Sequence, residues 1–306
     1  MVAPLRRVAL RRPGPATFDA DPALWHYTRR LDANRLAHQY DLFVSCIRRS
    51  GAAIEWIADE NDGLADSIFV FDPSFMTPWG AILLRPGKTL RRPEVALHEA
   101  LYRRLDVPVI GTIVPPGHAE GGDLLWLDEG TLVAGRGFRT NQAGIDQLRD
   151  ILAPCGVEVH AFDLPVWDGG AACLHLLSLL SPLDRDLVLV HSRLLPVALC
   201  RMLKERGVRC LEASEKEFRV SGGLNVNVLA LGPRRCLAAG GYPATLRVMK
   251  DAGCEITCFM ADALCLPCEG GPTCMVLPIW RSSRANPGNS VSRTQAYPGS
   301  SASARS

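Results

Sequence analysis

From residue 80 onward, short apolar runs recur in pairs, and each pair is followed by a helical stretch and a further run. Ala81–Leu84 has strand length, a Pro86-Gly87 turn follows it, Glu94–Arg104 has helical character, and Val107–Ile110 is the next strand. The pattern continues with Leu124–Leu127 and Thr131–Ala134, then a helix carrying Ile145, Leu148, Ile151 and Leu152 on one face, then Val157–Phe162. A third unit has Leu187–Val190, a helix over Leu194–Arg206, and Val208–Leu211. A fourth has Val228–Leu231, Cys236–Ala239, a helix over Pro243–Asp251, and Cys254–Phe259. Gly207 and Gly253 stand where the last two helices should stop.

This strand–strand–helix–strand order returns about every 40–60 residues, a period of repeat architectures. Helices with one apolar face should pack on small sheets set around a centre. A fifth unit can be assembled from a helix near Ala33–Ser50, the strand Ala53–Ile57 and the last apolar run, Met275–Ile279, which would close a ring. An ordinary doubly wound α/β sheet is the competing arrangement, but paired strands before each helix fit plain βαβ alternation poorly. The expected organisation is one α/β domain over residues 1–280. The tail 281–306 is rich in Ser, Arg, Pro and Gly without periodicity and is expected to be disordered.

Composition narrows the class. The 306 residues are 47% hydrophobic, enough for a sizeable core. Net charge is +2, and the tail holds four arginines and no acid, so the remainder carries −2. That argues against a nucleic-acid partner. Eleven scattered cysteines point to reduced thiols, and no apolar run approaches the roughly 20 residues needed to span a bilayer, so a soluble, cytoplasmic protein is expected. The basic N-terminus, Met1–Pro13, has apolar pieces too short for a signal segment.

The candidate chemistry is spread along the chain. Cys274 follows a diglycine turn, Gly270-Gly271, and precedes an apolar strand. His175 sits in an apolar, helix-like run from Ala171 to Pro182, where a core histidine is the commoner reading; burial would also keep it neutral. Asp72 ends the run Ile68–Phe71, with Asp66 six residues earlier, and a turn cap before Pro73 accounts for it equally well. Glu120 opens Glu-Gly-Gly-Asp, where glycines permit close approach of a ligand or simply a turn. Arg91 and Arg139 are either solvated charges or clamps for a carboxylate. Cys265 and Cys268 have redox spacing, but no second pair lies nearby to make a zinc site, and they are expected to be bystanders. A thiol, an imidazole and two carboxylates are the groups needed to attack a cationic planar carbon such as a guanidinium.

The order of these motifs resembles the dimethylarginine dimethylaminohydrolase branch of the guanidino-modifying superfamily, which includes arginine deiminases and amidinotransferases. The resemblance is carried by Asp66-Ser-Ile-Phe-Val-Phe-Asp-Pro73, Arg85-Pro-Gly with Arg91-Arg-Pro-Glu94, Glu120-Gly-Gly-Asp123, Arg139-Thr-Asn141, Leu174-His-Leu176 and Gly270-Gly-Pro-Thr-Cys274. It implies a five-bladed pseudosymmetric α/β propeller. It implies Cys274 as nucleophile, His175 as general acid and base, and Asp72 with Glu120 on the guanidinium. Arg91 and Arg139 would hold a substrate carboxylate and Asp66 its amino group. The implied partner is a small-molecule guanidino substrate, with no metal or organic cofactor, no membrane, and association as a homodimer left open. The implied reaction is hydrolysis to a ureido product, with amidino transfer to an amine or a non-catalytic binding role as alternatives. Phe71 stands where methylarginine enzymes usually carry Glu and deiminases Arg, Leu177 where the former carry Lys, and Glu269 where Asp is usual.

Overall fold

The computed structural model describes residues 1–58, 63–167, 169 and 174–282. Its strands, in chain order, are β1 (Leu5–Leu10), β2 (Ala53–Trp56), β3 (Ser74–Thr77), β4 (Gly80–Leu83), β5 (Val109–Thr112), β6 (Leu124–Asp128), β7 (Thr131–Arg136), β8 (Glu158–Asp163), β9 (Leu180–Asp184), β10 (Leu187–Val190), β11 (Arg209–Glu212), β12 (Val228–Gly232), β13 (Arg235–Ala239), β14 (Glu255–Phe259) and β15 (Leu277–Arg281). They form five three-stranded sheets: β15-β1-β2, β3-β4-β5, β6-β7-β8, β9-β10-β11 and β12-β13-β14. In every sheet the middle strand is antiparallel to the first and parallel to the third. A parallel neighbour requires a crossover, and each blade supplies one as a helix: Ala33–Arg49, Glu94–Arg104, Gln142–Leu152, Val197–Glu205 and Pro243–Asp251. The molecule is thus a five-bladed α/β propeller of ββαβ units.

The middle strands explain the apolar runs seen in the sequence. Val8–Leu10, Ala81–Leu83, Leu132–Ala134, Leu187–Val190 and Leu237–Ala239 are buried, between their own helix and neighbouring blades. The third strands lie outside and are partly exposed. Helix Ala33–Arg49 shows how a blade is covered. The Asp32 carboxylate accepts from the Arg35 amide at 3.1 Å to start it. Leu36, Tyr40, Phe43, Val44 and Ile47 then share its buried face, and Arg48 and Arg49 sit where the helix dipole favours cations. Truncating Leu36 to Ala should cost about 2–5 kcal/mol.

Three strands had not been expected, and each has a physical reason. β1 carries Arg6 and Arg7 among its apolar residues, and the Arg7 charge is met on the neighbouring strand by Glu55 at 2.6 Å. β3 is too short to show alternation. β9 contains Pro182, tolerated because β9 has only one ladder partner, β10. The helix-like run around His175 is therefore corrected: a single turn, Leu176–Leu179, gives way at once to β9, while 170–173 lie outside the described residues.

Closure comes from pairing the two ends of the chain, with Leu277 opposite Ala9. Arg281, placed in the tail by its composition, instead ends β15. Its buried guanidinium donates to the carbonyls of Ala3 and Ala230, both at 2.8 Å, and burial lowers its pKa to about 10. The Ser282 amide also donates to Pro4. The remainder of the expected tail, from residue 283, lies outside the described residues. Among the described residues no helix is long and apolar enough to cross a membrane.

Candidate active site

The five-fold repeat positions the site. Each blade presents one polar side chain from the segment that enters its first strand: Asp72 before β3, Glu120 before β6, His175 before β9, Asn227 before β12 and Cys274 before β15. Four of these had been singled out in the sequence; Asn227 had not. Its signal is the repeat itself, since the fourth blade should contribute at the same structural position as the others. A second group, Lys88, Arg91 and Arg139, comes from the loops that join a middle strand to its helix.

Glu120 is fully buried and accepts from three sides. His175 Nε2 lies at 2.6 Å, Arg139 Nη1 at 3.2 Å and the Lys88 amide at 3.2 Å. Burial opposes its charge, but the His175 hydrogen bond and the Arg139 and Arg91 cations outweigh it and hold Glu120 below the usual carboxylate range. The same contact fixes how the imidazole faces the site, with Nε2 held on the Glu120 carboxylate at 2.6 Å. The diglycine after Glu120 has a steric purpose. A Cβ on Gly122 would lie 2.6 Å from His175 Nδ1, and one on Gly121 would overlap the Phe71 carbonyl. Behind the imidazole, the Asp123 carboxylate accepts from the Leu176 amide at 2.9 Å and fixes the chain beside His175. Burial pushes Asp123 up to about 6, against the pull of His175, Thr140 and that amide.

Asp72 is held at 2.9 Å by the Gly122 amide and at 2.6 Å by Arg91 Nη1. Its loop is tied to the rest of the site: Gly121 donates to the Asp72 carbonyl, and Phe71 donates to the carbonyl of Cys274. Asp72, Glu120 and His175 each bring a ligand atom within 4.8 Å of the others. Such a trio could hold a metal ion. Both carboxylates, however, already carry guanidinium groups of the protein's own arginines, so the donor set suits a planar, multi-donor cation.

Cys274 shares one cavity with Asp72 and His175. Asn227 Nδ2 donates to its sulfur at 3.3 Å, and Asn227 Oδ1 accepts from the Thr273 amide at 3.0 Å. Gly270 packs on the Phe69 ring and Gly271 on Asn227, each too closely to admit a Cβ, which accounts for the diglycine before the cysteine. Burial, then Asp72, pushes the thiol up to about 11, against the pull of the Gly271 amide, Asn227 and His175.

The other predicted site residues lie on the same cavity, but two are engaged differently from expectation. Arg91 is not an open clamp. Its Nε and Nη2 donate to Glu94, Nη2 also to the Phe69 carbonyl and Nη1 to Asp72, so it braces Asp72 from behind. Asp66 is not an open acceptor for an amino group either, because Tyr27 Oη donates to one oxygen at 2.8 Å and Lys88 Nζ to the other at 2.6 Å. Arg139 borders both this cavity and an outer one lined by His26, Gly87, Lys88, Thr89, Leu90 and Phe138. Cys265 is buried in the core, whereas Cys268, expected to be a bystander, lines the site. Trp25, Tyr27 and Lys88 carried no sequence motif and were missed.

Comparison with known proteins gives the family and the fold. Residues 61–206 match the arginine deiminase family. A dimethylarginine dimethylaminohydrolase of Streptomyces coelicolor is 32% identical over 254 residues, covering 82% of this chain and 89% of that protein. The dimethylarginine dimethylaminohydrolase of Pseudomonas aeruginosa complexed with citrulline superposes with a TM-score of 0.74 at 22% identity, over 90% of this chain and 99% of that one. The N-terminal domain of a cyanobacterial arginine dihydrolase bound to its product gives 0.76 at 17% identity, over 90% and 97%. With a relative this similar along most of its length, the chain belongs to the dimethylarginine dimethylaminohydrolase family and is an amidine hydrolase of guanidino compounds.

Proposed function

We propose that this protein hydrolyses a C–N bond of a guanidino carboxylic acid of the arginine type through a covalent intermediate on Cys274. The observation that carries this reading is the convergence of Asp72, Glu120 and His175 within 4.8 Å, in contact with the cavity that Cys274 also lines.

A guanidinium is resonance-stabilised and a poor electrophile. Two buried carboxylates hold its N–H groups and keep positive charge on the carbon under attack. The arginines now on Asp72 and Glu120 show that both carboxylates accept guanidinium hydrogen bonds. The Cys274 thiol at about 11 is mostly protonated near neutrality, and a substrate cation beside it offsets burial and Asp72. As substrate binds, the thiol releases its proton to solvent and the thiolate sulfur attacks the guanidinium carbon, forming a C–S bond and a tetrahedral adduct. His175, placed by Glu120 and the Asp123–Leu176 contact, gives a proton to the departing nitrogen as the C–N bond breaks. Water, deprotonated by His175, then attacks the S-alkylthiouronium. The C–S bond breaks, sulfur recovers its proton, and a ureido product is released. Arginine would give citrulline and ammonia, and an N-methylated arginine citrulline and an alkylamine.

The test is a colorimetric assay for ureido product on wild type, Cys274→Ser and Glu120→Gln. Both variants should lose turnover while retaining the fold by circular dichroism. Full activity in Cys274→Ser would refute the assignment.

A further inference from the structure

Resting on that reading of the site, we infer that Arg139 is a specificity-determining residue. Its guanidinium fills the last acceptor positions of Glu120, so a substrate guanidinium binds by displacing it, and a substrate that brings an anion for the displaced arginine is preferred. An ionised carboxylate has about four acceptor positions, two on each oxygen. On Glu120 the chain's own donors take them all. Oε1 accepts from the Lys88 amide at 3.2 Å and from Arg139 Nη1 at 3.3 Å. Oε2 accepts from His175 Nε2 at 2.6 Å and from Arg139 Nη1 at 3.2 Å. Asp72 differs. Among the described residues its Oδ1 accepts from the Gly122 amide and its Oδ2 from Arg91, which leaves a position on each. A planar guanidinium bridging the two carboxylates therefore finds Asp72 open and Glu120 closed.

Of the three donors on Glu120, one can leave. The Lys88 amide is backbone, and His175 is the proposed acid and base. Arg139 is a flexible side chain on a fixed root. His118 Nδ1 donates to the Arg139 carbonyl at 3.0 Å, and a Cβ on Gly87 would lie 2.8 Å from that oxygen, so the backbone there is packed on both sides. Arg139 also borders the outer cavity with His26 and Lys88, which gives the displaced guanidinium room. Its side chain is only 12% exposed on Glu120, so losing that partner without a replacement is costly. The acids of the inner cavity besides Asp72 are Asp66, already held by Tyr27 and Lys88, and Glu269. A ligand carboxylate offsets the displacement, whereas a ligand without one meets the full competition.

The experiment measures the Kd of arginine and of agmatine, which differ only by the carboxylate, using calorimetry in a Cys274→Ser background so that no turnover intervenes. Arg139→Ala and Arg139→Gln are compared with the arginine-bearing chain, and the ratio between ligands is read within each preparation, so partial misfolding cancels. Both substitutions should tighten agmatine by about tenfold, the worth of one charge-assisted contact released from competition, and weaken arginine by about as much. A crystal structure of the Cys274→Ser protein with arginine bound should show Arg139 beyond hydrogen-bond distance of Glu120. Agmatine binding that is unchanged or weaker in both variants, or Arg139 still on Glu120 beside the bound ligand, overturns the displacement. Equal tightening of both ligands would mean that the displaced arginine turns to Glu269 or Asp66, and would refute its role in specificity. These are binding readouts and leave hydrolysis untouched; absence of ureido product from arginine and its N-methylated forms with the wild-type protein would instead take down the hydrolase reading.

Discussion

Replacing Asp72 with Asn should move two observables in opposite directions. Asp72 holds a substrate nitrogen in the proposed mechanism, yet its charge is the second largest cause, after burial, of the raised Cys274 pKa. With that thiol at about 11, roughly one molecule in a thousand carries a thiolate at pH 8. A unit charge at about 6 Å in an effective dielectric of about 20 is worth ~3 kcal/mol, or about two pH units. Asp72→Asn removes that charge and leaves Arg91 less neutralised, and both effects lower the thiol pKa. A hundredfold gain in thiolate is partly cancelled by its lower intrinsic nucleophilicity, leaving alkylation about tenfold faster. Turnover should meanwhile fall by about 10²–10³, the cost of one preorganised group at the reacting centre. The assay is timed iodoacetamide labelling at pH 8 with mass spectrometry of the Cys274 peptide, the exposed Cys210 and Cys258 serving as internal references. Labelling at Cys274 that is unchanged or slower in Asp72→Asn, or turnover that survives, would refute the reasoning.

Asn227→Ala should raise the Cys274 pKa by removing the amide that faces sulfur, lowering kcat by about tenfold and slowing iodoacetamide labelling; faster labelling would contradict the contact. Glu120→Gln should reduce turnover about 10²–10³-fold and lower melting temperature most at neutral pH. Its folded pKa is depressed, so its stabilisation is present above the unfolded value and lost as pH falls through the folded one; equal melting at pH 7 would argue against the buried cluster. Asp123 has the opposite sign. With a folded pKa raised to about 6, its favourable contribution is present below about 4 and gone above 6, so Asp123→Asn should gain about 3 kcal/mol at pH 8 relative to pH 4 by thermal melts. A gain independent of pH would mean that the carboxylate is not the cause.

Much of this architecture was legible in the chain because the middle strands are buried on both faces and read as uninterrupted apolar runs, while their helices carry one apolar stripe. What escaped was set by tertiary context. β1 hides behind two arginines, one of which, Arg7, has its partner Glu55 forty-eight residues away, and β9 behind a proline that only an edge strand tolerates. At the site, residue type and glycine context singled out Asp72, Glu120, His175 and Cys274. Asn227 has no such marker and is found only through the symmetry of the ring. Arg91 and Asp66 were assigned to substrate because the sequence cannot show that Glu94, Tyr27 and Lys88 fold onto them.

The most direct test of the account is capture of the covalent intermediate. His175→Ala lacks both the acid that a departing amine needs and the base that activates water, so it should form the thiouronium from an S-methylisothiourea analogue of arginine, whose thiolate leaves without that proton, and hydrolyse it slowly; acid quench and intact-mass spectrometry should then reveal a substrate-derived adduct that peptide mapping assigns to Cys274. Loss of the adduct in a second substitution at Cys274 would complete that result. An adduct on another cysteine, or ureido product formed with Cys274 absent, would contradict the claim that this sulfur attacks the guanidinium carbon.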